Sequence, residues 1–241
     1  MTTEPAATPA PRSGDPFSPG IQRLAASSGL GFVLLMILSV AFQGGDMPEY
    51  GDNVSVFASY AREHAEDQQR STLFLLLACF ELLWFVGYLR GQLGRAEEAA
   101  RGFTRISHIV FAGGIVAAVG LILSGALTAA SVSQPEDTSA EIVRALYILS
   151  YYPFLLASVG LAVMLYTAGF FLLRVRVLPR WLGAVGIVGG LAWIVTLFSV
   201  LDEGNDGGVE VFYPIGLCAL VVFAVAASIV FLREVGRAPT E

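Results

Sequence analysis

Apolar residues gather into six stretches long enough to cross a membrane, at 24–42, 71–89, 106–129, 154–173, 181–201 and 211–232, with polar connections between them. A helix needs about 20 apolar residues to span a hydrocarbon core roughly 30 Å thick. The pattern therefore predicts an all-α polytopic membrane protein, a bundle of six transmembrane helices over 24–233. Residues 1–23, rich in Pro, Ala, Ser and Thr, show no periodic apolar face and read as a disordered tail; 234–241 is a short second tail. A cleaved signal peptide competes for the first stretch, since Ser39-Val40-Ala41 is a small-x-small site after an apolar run. The long leader bearing Glu4 and Asp15 argues for a span instead.

The connections are patterned too. In the acidic segment 44–70, Asp52 is placed to cap a short helix with Val56, Phe57 and Tyr60 on one face, lying on the membrane or lidding the bundle. His64 on this segment reads as a solvated surface histidine, and His108 begins the third span beside the arginine-rich segment 90–105, where it can meet the end of the second span. The apolar run 141–174 exceeds one crossing, and Pro153 is expected to divide it into an extramembrane turn carrying Arg144 and Tyr147 and a span from 154. Gly113, Gly114 and Gly120 on the third span, and the GxxxG pair Gly186 and Gly190 on the fifth, predict close helix packing within the chain or with a second copy.

Composition agrees with a membrane protein. The 241 residues are 55% hydrophobic and 14% charged, against about 25% charged in soluble domains. All fourteen basic residues are arginine. The absence of lysine excludes a Schiff-base or P-loop lysine, and no basic patch supports nucleic-acid binding. Eleven arginines fall on the side of the two chain ends and three opposite, so the positive-inside rule puts both termini in the cytoplasm of a cell whose inner membrane holds the protein. Cys79 and Cys218 lie in apolar stretches and read as small core residues.

Within the second span one acid, Glu81, falls near the middle. Each Leu, Phe or Val near a span centre contributes roughly −0.3 to −0.6 kcal/mol to insertion, whereas a central acid costs about 3 kcal/mol. The eleven such residues from Leu73 to Leu89 carry the acid into the bilayer. Helical spacing puts Trp84 and Tyr88 on or beside its face, bringing an N–H and an O–H near the carboxyl. One reading makes Glu81, Trp84 and Tyr88 a proton or cation site lined by aromatic rings. The other makes Glu81 a protonated or hydrogen-bonded acid that pins two helices.

Other chemistry is scarce. With two histidines, no HExxH, GxSxG, P-loop or CxxC, and no aspartate inside a span, neither a metal, a cofactor nor an enzymatic activity is expected. The Gly51-Asp52 connection and the stretch LPRWLGAVGIVGGLAW at 178–193 resemble an uncharacterised family of small six-span bacterial integral membrane proteins. That resemblance implies a membrane bundle and brings no activity with it. The expected function is a non-enzymatic bundle that binds lipid, a small apolar or cationic ligand, a second copy or a membrane-protein partner. A proton- or cation-coupled transporter that titrates Glu81 is the alternative; it requires Glu81 to open onto an aqueous or lateral cavity.

Overall fold

The structure, a computed structural model, describes residues 19–45, 48, 51–100, 105–133, 138–175, 177–201 and 212–237. Every regular element among them is helical: α1 Pro19–Ala41, α2 Val54–Glu63, α3 Ala65–Ala100, α4 Ile106–Val132, α5 Ala140–Arg174, α6 Arg180–Thr196 with a 3-10 turn over Leu197–Leu201, and α7 Phe212–Arg237. All but α2 are long and apolar enough to cross a membrane, which makes this a multi-pass membrane protein.

The six long helices close into a ring. Neighbours run α1, α3, α4, α5, α6, α7, and α7 returns to pack on α1. Its middle is filled by side chains, among them Phe32, Phe85, Leu82, Met164, Phe223 and Phe231, none more than 1% exposed. Hydrocarbon tails are as apolar as leucine, so close packing rather than water exclusion must hold the spans together. Glycine supplies that closeness on both flanks of α5. A Cβ at Gly113 would stand 2.8 Å from the Gly160 carbonyl oxygen, and one at Gly120 would meet the backbone of Pro153 and Ala157. On the other flank a Cβ at Gly186 would lie 2.8 Å from the Leu165 carbonyl oxygen, and one at Gly190 2.7 Å from the Tyr166 nitrogen. Gly114 faces α3 instead, with Val86 against it. All five glycines thus pack within the chain, and α5 is the most enclosed span because two helices grip its backbone.

Several boundaries differ from the sequence pattern. Pro153 does not divide the fourth long segment: α5 runs unbroken from Ala140 to Arg174 with the proline inside. The packing of α4 explains this: its Gly120 lies against the Pro153 carbonyl, and membrane helices keep an internal proline where neighbours support the freed backbone. Helix α1 begins at Pro19, within the stretch read as a tail, and α7 continues to Arg237; residues 1–18 and 238–241 lie outside the described residues. Asn53, not Asp52, is the N-cap of α2, and its side chain makes no capping bond. The buried face of α2 is Phe57, Ala58, Tyr60 and Ala61, whereas Val56 is exposed. Cys79 is buried as expected, but Cys218 lies exposed on the outer face of α7.

Helix α2 does lie over one end of the bundle. Phe57 meets Tyr147 edge-on at 5.5 Å, the Arg144 guanidinium lies 5.7 Å from the Phe57 ring, and Ala61, Val132 and Val143 complete a small apolar cluster. A polar knot fixes its far side. The Tyr60 hydroxyl shares its one proton between the carbonyls of Gln43 (3.0 Å) and Gly44 (2.8 Å) and accepts from Gln68 Nε2 at 2.6 Å, while Gln68 Nε2 also donates to Gln43. Gly44 and Gly45 both have positive φ, which lets the chain leave α1 and fold against the His64 ring. His64 is therefore packed between this turn and Tyr60, 4.8 Å away, rather than freely solvated.

Candidate functional site

Antiparallel packing of α1 on α3 builds the surroundings of Glu81. At one end of the seam the Ser39 hydroxyl donates to the Ser71 carbonyl at 2.9 Å, a bond between helices that fixes their register. Eight residues back along α1 and ten forward along α3, Gly31 meets Glu81. A Cβ at Gly31 would come within 3.1 Å of the carboxyl carbon and of Oε2, so the missing side chain is the room the acid occupies.

The seam opens outward. Glu81 is half-buried, and its helical neighbours Leu77 (44%), Phe80 (57%) and Trp84 (41%) are exposed on the perimeter. On the other side of Glu81 along the same turns, Ala78, Leu82 and Phe85 are fully buried in the bundle, so the acid sits at the boundary between core and perimeter. Among the described residues Glu81 has no hydrogen-bond or ion-pair partner.

The three residues singled out by spacing do not converge. Trp84 pairs with Phe80, ring centroids 6.4 Å apart, on the outer surface. Tyr88 turns toward α7 and meets Phe231 edge-on at 5.2 Å. Neither brings its donor to the Glu81 carboxyl among the described residues, because the seam directs Glu81 to α1 while α7 claims the aromatic two turns further on. The complement that sequence reasoning missed is Gly31, whose only signal is its place opposite Glu81 once α1 and α3 are paired.

Two other groups emerge only in three dimensions. Phe154, Trp193 and Tyr213 form a mutual edge-on cluster with centroids 5.6 to 6.2 Å apart, in which the buried Trp193 Nε1 has no hydrogen-bond partner among the described residues. At the arginine-rich end, Arg90 Nη2 lies 3.0 Å from His108 Nε2, the meeting of His108 with the end of the second span that the sequence suggested. No group of three metal-ligating side chains is present among the described residues.

Together these features define a close-packed integral membrane protein of six long helices, with an acid at an outer helix seam that has no partner among the described residues. Against known proteins, the chain matches no family model, no curated protein and no solved structure.

Proposed function

We propose that this is a non-enzymatic binding protein of the bacterial inner membrane, both termini cytoplasmic, whose α1–α3 seam receives the polar group of an apolar ligand or of a partner helix. One observation carries the reading: Glu81 lies half-buried on the outer seam, seated against Gly31, with no partner of its own among the described residues. A polar group in hydrocarbon without a partner costs several kcal/mol, so a donor arriving from the side gains more there than it would in water. Exposed Phe80 and Trp84 beside the acid offer an aromatic flank for the apolar part of such an occupant. The distribution of arginines, eleven to three, supports the orientation.

A coupled transporter draws less support. It needs an aqueous or lateral cavity at the acid; the seam does open sideways, but the bundle beside Glu81 is filled by Leu82, Phe85 and Phe32, which leaves no water route inward among the described residues. Two surface grooves stand out, and Glu81 lines neither.

The test is Glu81→Gln and Glu81→Leu in purified full-length protein, reading thermal stability and co-purified amphiphiles by mass spectrometry. Binding through the carboxyl is expected to lose a defined co-purified species in Glu81→Leu while Tm holds or rises. A fall in Tm with the same co-purified species in both variants would make Glu81 a packing residue and end the binding proposal.

A further inference from the structure

We propose that the arginine-rich ends of α3 and α4 form a second site, a cleft for the phosphate-bearing headgroup of an anionic lipid, centred on Arg90. The cleft has a volume of about 370 Å³ and is walled by Arg90, Arg95 and Glu98 of α3 and by Ser107 and His108 of α4. Its floor is open because α3 carries glycine there: a Cβ at Gly87 or Gly91 would meet nothing within 4 Å. These glycines are unlike those at the helix crossings, where backbone fills the space. Here no described residue takes up the space.

The cation is held in place without being neutralised. Arg90 stacks 5.0 Å from the Phe111 ring centroid and donates to His108 Nε2 at 3.0 Å. A guanidinium has no lone pair to offer, so Nε2 accepts and the ring proton lies on Nδ1, a further donor at the cleft wall. Among the described residues no carboxylate pairs with Arg90, whose remaining N–H groups keep the fork geometry that matches phosphate oxygens. Of the two neighbouring acids, Glu97 is engaged elsewhere, accepting from the Ser107 N–H (2.5 Å) and hydroxyl (2.9 Å) and tying off the start of α4, while Glu98 stays on the cleft wall two turns of α3 from Arg90 and forms no ion pair with it among the described residues.

Depth favours a lipid over a soluble anion. Arg90 directly follows Leu89, the last residue of the apolar stretch, and so stands where hydrocarbon gives way to headgroups. Helical spacing continues the glycine face to exposed Leu83 on α3, and α4 presents exposed Ile115 two turns from His108, so both walls become apolar toward the bilayer. Basic pockets between spans on the arginine-rich side are suited to anionic headgroups. This site lies about 14 Å along α3 from Glu81 and stands without the reading given to that seam.

The test uses full-length protein in detergent, with native mass spectrometry reading retention of added dioleoylphosphatidylglycerol against dioleoylphosphatidylcholine. Wild type is expected to hold the anionic lipid about tenfold more tightly, and Arg90→Gln to lose that preference. Gly91→Leu starts from a Cβ with nothing within 4 Å among the described residues and extends into the cleft, so it is expected to abolish the preference with Tm unchanged or raised, which separates binding from folding. Equal retention of the two lipids by wild type, or an undiminished preference in Gly91→Leu, would overturn the proposal. Inorganic phosphate at millimolar concentration is expected neither to raise the wild-type Tm nor to displace the lipid. Displacement by phosphate would assign the cleft to a soluble phosphate compound instead and overturn the lipid assignment.

Discussion

Inside the bundle, single polar side chains decide what this protein can do, because their surroundings are apolar. Glu81 persists in an apolar helix because Gly31 leaves it room, and the same seat makes it accessible from the side. Tyr60 is the counterpart at the end of the bundle, where burial raises its phenol above the ordinary value of 10.0 and the Gln68 bond opposes this less strongly. The folded state therefore holds that proton more tightly than the unfolded chain. Its stabilisation is complete below about pH 10 and is lost as pH rises through the folded value. Tm is expected to fall above about pH 10, and Tyr60→Phe to cost about 1 kcal/mol at neutral pH while flattening part of the alkaline fall. An alkaline limb identical in wild type and Tyr60→Phe would remove Tyr60 from that role. The central acid was legible in the sequence because one charge in an apolar stretch is conspicuous. Its partners were not, because Trp84 and Tyr88 share a helix face with Glu81 in projection but are claimed by Phe80 and Phe231 in space.

At the scale of elements, glycine does two different things, and substitution separates them. Gly186→Ala would drive a methyl against the Leu165 carbonyl oxygen and the Gly169 Cα, at 2.8 and 3.0 Å. It is expected to cost about 1–3 kcal/mol by overpacking. Gly91→Ala enters open space and is expected to stabilise α3 by up to about 1 kcal/mol through helix propensity. Thermal unfolding of the two variants in one detergent checks the contrast, and equal losses would refute it. Small residues at i, i+4 spacing look alike in sequence in both roles, so only the packing of α5 on α6 and the empty face of α3 distinguish them. Pro153 was misleading for a related reason. A proline removes one N–H and strains one turn, but the sequence does not reveal that the α4 backbone at Gly120 lies against the Pro153 carbonyl and that Trp193 of α6 packs on Phe154 next to it.

As a whole molecule the protein is a ring of six long helices with a lid at one end, a headgroup-depth cleft at the other and a lateral acid between them. Hydropathy alone predicts the six spans, since length and apolarity are local properties. The order of helices around the ring and the closure of α7 on α1 are not local, and no spacing in the chain encodes them. The arginine bias predicts that a fluorescent reporter fused at the C-terminus is cytoplasmic and that an alkaline phosphatase fused within 202–210, outside the described residues, is active. The reverse pattern would invert the orientation and the cleft with it. The most direct test of the lateral site is a benzophenone amino acid in place of Trp84, photolysed in native membranes with Glu81 intact and with Glu81→Gln. A discrete adduct that depends on the carboxyl, and is absent when the probe replaces exposed Phe198, is the expected result. Adducts to bulk phospholipid alone, the same with and without the carboxyl, would contradict it.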